Sequence, residues 1–496
     1  MIALPCLLYA MDLTVLNLAV PRLVEDLHPT STQLLWIVDI YGFVLAGALI
    51  PMGALGDRIG RRKVLLLGAV AFSIISVAAA FSTNATMLIA MRALLGVAGA
   101  TLAPSTLALI QSMFTDPKQR AFAIGIWGAS FSAGGALGPL LGGVMLEHFW
   151  WGSVFLLGVP VMLVLLGTAR TLLPEVKAEH AERVDVPSAG LSLVAVLSAI
   201  YGIKHLARGS LDGLPALALA AGVGIAFIRR QRIIATPLVD LAMFRSRVFV
   251  IALLTNVLGI FAVFGIYVFV ARELQVVFGR TPFQAAMWML PSSAGFVVAS
   301  LLSPLVARRL PGYRIVGAGM LLSAGGVLLV SHANALVPLG VGVFVFSFGL
   351  GPIPSLVTGM IVEHAPLERA GAASALSETT SELGGALGIA LLGTLFNAVY
   401  DRSVATTHDA SVAFHSAFGA TGWIASVLLV ATGVLVLVGL RQSERGKNDG
   451  TSRVSNTVGL QITRVSTAPS SARLPFAESS PSQLTANPAA TCSPLR

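Results

Sequence analysis

A chain of 496 residues in which 55% of side chains are hydrophobic and only 11% are charged is too apolar for a water-soluble protein, where about a quarter of residues carry charge. It is long enough for about a dozen or more membrane spans of ~20 residues, which leaves no room for a sizeable soluble domain. Two cysteines at opposite ends, Cys6 and Cys492, frame neither a disulfide scaffold nor a metal cluster, and the net charge of +9 points to loops on one membrane face rather than to nucleic acid.

Fourteen apolar runs follow one another, at 2–21, 34–55, 64–82, 86–109, 121–144, 152–172, 188–206, 213–229, 248–270, 284–306, 314–332, 335–361, 370–396 and 418–440. The first carries Asp12; neither a basic flank nor the basic n-region of a secretory signal precedes it. The second carries Asp39 and runs into the stretch GALGDRIGRRKVLLLG, residues 53–68, which sets five charges in an otherwise uncharged region. Arg92 lies within the fourth run, and Glu378 and Glu382 within the thirteenth. An ionisable group in hydrocarbon costs several kcal/mol unless it is paired or hydrated, so each of these is a functional candidate. At 1.5 Å per residue, Asp12, Asp39 and Arg92 share the outer half of the first six runs, where a salt bridge between Asp39 and Arg92 competes with a coupling role for Asp39. Glu378 and Glu382, four residues apart on one helix face, fall near the bilayer midplane. Nothing basic is expected inside runs seven to fourteen to neutralise them, and two carboxylates so close in a low dielectric do not both ionise cheaply. All eight histidines map to loops or helix ends, which argues against a histidine relay or a buried metal.

An even number of spans places both termini on one side. With that side inside, the inner loops up to residue 450 hold 21 Lys and Arg, and the outer loops hold six: Arg22, Lys204, Arg208, Arg272, Arg280 and Arg402. The positive-inside bias therefore predicts cytoplasmic termini, with Trp36, Trp150 and Trp151 in the outer aromatic belt. After Leu440 the composition turns to Ser, Thr, Pro, Ala and Asn, and residues 441–496 read as a disordered cytoplasmic tail.

Several motifs converge on one family. GALGDRIGRRK resembles the loop between the second and third helices of the major facilitator superfamily, LIAMRALLGVAGATLAPS (88–105) its fourth-helix arginine motif, and GASFSAGGALGPLLGGVM (128–145) its fifth-helix antiporter motif. MDLTVLNLAVPRL (11–23) and LLWIVDIYGFVLAGALIPMGALGDRIGRR (34–62) are similar to the fourteen-helix drug:proton antiporters of the quaternary-ammonium and methyl-viologen efflux type. The resemblance implies an all-α membrane fold with a six-helix bundle at 1–172, two extra helices with linkers at 173–247, and a second bundle at 248–440. It implies that Asp57 latches the two halves against the N-terminus of the thirteenth helix. Gly53, Gly56 and Gly60 would allow close packing and a turn, and Arg58, Arg61 and Arg62 would bind carboxylates or lipid headgroups. Residues 304–317 look like a faded copy with Arg308 in place of the aspartate, as expected of related repeats. Gly134, Gly135, Gly138, Pro139, Gly142 and Gly143 would form a packed seam that limits leak, and Asp12, Glu378 and Glu382 match positions linked with cation recognition or proton coupling.

The expected protein is therefore a monomeric, proton-coupled exporter of lipophilic, cationic compounds in the bacterial cytoplasmic membrane. Its partners would be small molecules, protons and membrane lipids; the proton gradient would be its energy source, with no cofactor. Export of a single endogenous natural product or metabolite, and a ligand sensor without turnover, are the alternatives. No phosphate-binding loop of the GxxxxGK[ST] type, zinc pattern or nucleophile and base set is visible, so an enzyme is not expected.

Overall fold

The computed structural model describes residues 3–176, 185–207, 210–234, 237–365 and 370–466. Among the described residues there is no strand, and thirteen helical stretches are long and apolar enough to cross a membrane. The two arms of α1 (Leu4–Leu27) make a fourteenth span, bent by 58° between Leu16 and Leu18. Pro21 causes the bend, because it has no N–H to give the carbonyl four residues back.

Helix α2 (Ser31–Ile59) starts at a capping box of Thr30 and Gln33 and ends at Gly60, where α3 (Arg61–Ala80) begins. The fourth span breaks at Ala100 and Thr101 into α4 (Ala85–Gly99) and α5 (Leu102–Met113). Asp116 caps α6 (Pro117–His148), and the sixth span divides into α7 (Ser153–Leu156) and α8 (Gly158–Leu172). The extra pair is α9 (Val186–Ala207) and α10 (Gly213–Ile233). Then follow α11 (Arg247–Val276), α12 (Pro282–Val306) and α13 (Gly312–Ser331). The twelfth span is α14 (Leu336–Leu350), a π-helical turn at Ile353–Val357 and α15 (Thr358–Glu363). Helices α16 (Ala370–Thr407) and α17 (Ala410–Ser466) complete the set.

Two apolar cores stand behind this order. One gathers side chains from Leu8 to Val239 together with Ala375 of α16, and the other from Met243 to Leu440. Large apolar side chains such as Leu67, Ile74, Leu163 and Val427 remain exposed, which suits a surface facing lipid rather than water. Trp150 is exposed in keeping with an interfacial belt, but Trp151 is buried against Phe155 and belongs to the first core.

The connector after α10 enters both cores. Leu238 and Val239 are buried in the first and Met243 in the second. Gln231 anchors it, accepting the Leu238 N–H at 2.7 Å and the Val239 N–H at 3.3 Å while donating to Ser188 at 2.8 Å. Beside it Arg230 grips Asp185 through two hydrogen bonds, 2.7 and 2.9 Å. These bonds hold the Asp185 carboxyl well below the usual carboxylate range.

Composition led to a disordered segment from residue 441, yet α17 continues to Ser466. Extending an existing helix adds a hydrogen bond per residue without a new nucleus. The membrane body ends at Ser443, residues from Glu444 form a separate unit, and 467–496 lie outside the described residues.

Candidate functional site

Helix α16 presents Glu378 and Glu382 to the first bundle, and both carboxylates are half-buried. The Tyr9 hydroxyl of α1 donates to Glu382 Oε1. Around Tyr9 stands an aromatic wall: Phe131 is edge-on at 5.4 Å, Tyr41 lies at 6.5 Å, and Trp127 meets Phe131 at 4.8 Å. The Trp127 indole is fixed by donating to Thr106 Oγ1 at 3.0 Å. On the far side of α16, Asn256 of α11 donates to the Ser377 carbonyl (3.0 Å) and to the hydroxyls of Thr380 (3.2 Å) and Ser381 (2.9 Å), which fixes the rotation of the turn carrying both glutamates. Carboxylates beside aromatic faces are the chemistry that holds a lipophilic cation away from water. The sequence reading found the glutamates and missed the aromatic wall. The i, i+4 spacing of Trp127 and Phe131 was a visible signal, but ordinary core packing produces the same spacing.

The Asp39–Arg92 bridge, one of the two readings of Asp39, is not what the structure contains. Arg92 is paired with Asp12 at 2.7 Å, donates to the Ile37 carbonyl at 3.2 Å, and lies 4.6 Å from the Tyr41 ring. Asp12 is 8% and Arg92 1% exposed, so this is a buried ion pair. Asp39 instead accepts from Lys204 of α9 at 2.6 Å. The expectation that nothing basic inside the later spans could reach the glutamate pair therefore fails. Lys204, which the sequence reading put in an outer loop, lies within α9, and its charge interacts with Glu382.

At the end bearing the basic loops the two halves are in contact. Asp57, 8% exposed, lies against Gly371 in the first turn of α16, where a helix dipole favours a negative charge. Arg61 donates to Asp57 at 3.1 Å and to the Ala108 carbonyl at 3.0 Å. A Cβ at Gly53 would lie 2.6 Å from the Gly371 carbonyl oxygen, and one at Gly371 2.5 Å from the Asp57 carboxylate, so both glycines set the approach. Gly56 has only ordinary contacts, and Arg58 is half-buried. Gly60 has φ +114°, a region that strains other residues, and the carboxylate of Glu175 occupies the space a side chain would need. Glu175 accepts the Arg62 N–H at 3.2 Å, and the Arg62 side chain donates to the Leu173 carbonyl at 2.8 Å. Arg62 thus grips the segment after α8, and Glu175, which the sequence reading passed over, holds the start of α3. Two further bonds close this end: Gln111 to the Val362 carbonyl at 3.2 Å and Ser300 to the Gly125 carbonyl at 2.9 Å.

The glycine-rich motif of α6 divides by face. A Cβ at Gly134 would lie 2.9 Å from that of Ala10, and one at Gly138 3.1 Å from the Met11 carbonyl oxygen. Gly142 faces Val15 on the same stripe, four residues on. These three let α6 lie against α1, whereas nothing lies within 4 Å of a Cβ at Gly135 or Gly143, so packing does not require glycine there. The Pro139 side chain lies outside those described.

The model of the Major Facilitator Superfamily matches residues 2–389. The chain is 39% identical over 445 residues to the multidrug efflux pump LfrA of Mycolicibacterium smegmatis, covering 88% of each protein. It is 36% identical over 403 residues to the methyl viologen resistance protein SmvA of Salmonella typhimurium, covering 80% of this chain and 81% of that one. Among solved structures, the human organic anion transporter MFSD10 shares the fold with a TM-score of 0.63 at 17% identity, over 88% of this chain and 98% of the other. With its fourteen spans, its two bundles and the match along most of its length, this chain belongs to the Major Facilitator Superfamily and is a transporter rather than an enzyme.

Proposed function

We propose that the protein is a proton-coupled exporter of lipophilic, monovalent cations that works by alternating access. The observation that carries the reading is the placement of Glu378 and Glu382 on one half against Tyr9, Phe131 and Trp127 of the other. One cluster of carboxylates cannot cheaply hold both its protons and a cation in a low dielectric, so arrival of one drives departure of the other. The positive-inside bias makes the closed, basic end cytoplasmic, and opening of the opposite end would let protons reach the carboxylates from outside. Asp57 on the first turn of α16 stabilises the closed end, and the glycine stripe of α6 limits leak between bundles. LfrA and SmvA, whose names record multidrug efflux and methyl viologen resistance, support export as the direction.

The test is ethidium transport in inverted membrane vesicles from cells making the protein. Accumulation should follow an imposed proton gradient and collapse when a protonophore dissipates it. Accumulation indifferent to the protonophore overturns proton coupling, and no accumulation overturns cation export.

A further inference from the structure

Lys204 makes with Asp39 the kind of contact a substrate cation would make. Its ammonium lies 2.6 Å from the Asp39 carboxylate and 4.7 Å from the centre of the Phe43 ring. A carboxylate on one side and an aromatic face on the other are what bind an alkylammonium. Trp36 and Tyr201 stack at 6.0 Å beside it, and Trp36 meets Phe43 edge-on at 6.2 Å. Phe43 packs in one cluster with Ala386 and Leu383 of α16, so this nest adjoins the turn that carries Glu382. The side chains of Lys204 and Asp39 are 27% and 16% exposed. They are therefore not locked in a dry core, and a four-carbon stem leaves the ammonium free to swing. The helix that supplies it, α9, belongs to the extra pair.

We propose that Lys204 is a tethered competitor cation: parked on Asp39, it swings toward Glu382 and helps expel the substrate cation from the transport site. The inference rests on the cation-export reading above. A tethered ammonium costs no diffusion, cannot leave, and weakens cargo binding on the side where cargo must be released. Parking on Asp39 keeps it from blocking the site at other times. The two partners of the ion pair therefore have opposite effects on cargo, which a merely structural bridge between α2 and α9 would not produce.

The experiment is equilibrium binding of tetraphenylphosphonium to the purified full-length protein in detergent, with thermal unfolding as a check on folding. Lys204→Gln should bind the probe about tenfold more tightly, the effect of removing one unit charge at ~10 Å with an effective dielectric of ~20, and should export it more slowly. Lys204→Arg should bind like the wild type. Asp39→Asn, which releases the lysine toward Glu382, should bind more weakly, and Asp39→Asn with Lys204→Gln should recover tight binding. If the two single variants shift affinity in the same direction, or neither shifts it, the pair is a structural bridge and the proposal falls. If the double variant stays weak, Asp39 itself holds the cargo, and the proposal falls as well. A wild-type protein that does not bind the probe overturns cation export itself, whereas binding by the wild type with no opposed effects overturns the tethered cation alone.

Discussion

Glu378 and Glu382 stand one helical turn apart on α16 with a single tyrosine hydroxyl, that of Tyr9, donating to the second. Their proposed role gives a direct measurement. On addition of a cationic dye to the purified protein, proton release should fall in Glu378→Gln and in Glu382→Gln and be lost in the double variant, across about pH 5.5 to 8.5, while export of a neutral substrate persists. Undiminished release from the double variant would place coupling elsewhere. Asp12 calls for a different measurement, because it is bonded to a buried arginine. Asp12→Asn leaves the Arg92 guanidinium without its counter-charge, a loss of roughly 3–5 kcal/mol for a broken buried pair, and should lower the unfolding temperature and membrane abundance whatever it does to transport; normal stability would show that water reaches Arg92. The identity of these charged residues was legible in the sequence because charge in hydrocarbon is conspicuous. Their pairing was not, because depth along a helix says nothing about rotation around it. Asp39, Asp12 and Arg92 all share the outer half of the first bundle, and only the facing of α1, α2, α4 and α9 decides that Arg92 takes Asp12 and Lys204 takes Asp39.

Among the elements, the α2–α3 turn shows how much a short motif can specify. Its aspartate reaches the first turn of α16 as the motif suggested, and Gly60 supplies the positive φ between two helices that almost abut. Asp57→Asn keeps the shape and removes a charge that a helix N-terminus favours by roughly 0.3–1 kcal/mol, or about 2 when partly buried. Membrane abundance should be nearly normal and transport strongly reduced, and unchanged transport rates would reduce the motif to an anchor. Gly60→Ala should instead destabilise, since an L side chain at that φ costs about 1–3 kcal/mol and Glu175 already fills the space. An unfolding temperature like that of the wild type would contradict this. The clasp of Asp185 on Arg230 has its own pH signature. A carboxyl held below its usual range contributes stability above its unfolded pKa and loses it only as pH falls through the folded one, so the α9–α10 pair should stay clasped through neutral and mildly acidic pH. Glu175 was illegible beforehand because its partner Arg62, bound through both backbone N–H and side chain, is far away in the chain.

At the scale of the whole molecule, fourteen apolar runs became fourteen spans because membrane helices are set by length and hydropathy, the properties easiest to count. The internal breaks at Ala100 and at the π-turn of the twelfth span were not visible, since small residues and prolines inside an apolar run permit a break without requiring one. The orientation has a simple check. A reporter fused after Leu440 should be cytoplasmic and one inserted near Thr407 external, and finding both on one side would discard the map. The connector after α10 bears on something else, the order in which the chain is made. When synthesis has passed Ile233, ten helices exist, yet the first core still lacks Leu238 and Val239, and the next residues to emerge bring Met243 to the second. The first bundle thus gains two of its buried side chains from the same few residues that begin the next, so a nascent chain cut before them lacks that part of its core, and Ala375 of α16 joins only later. A fragment ending at residue 240 should outlive one ending at residue 234 in a pulse-chase experiment, and its matching partner, 241–496, should join it when the two are made as separate chains.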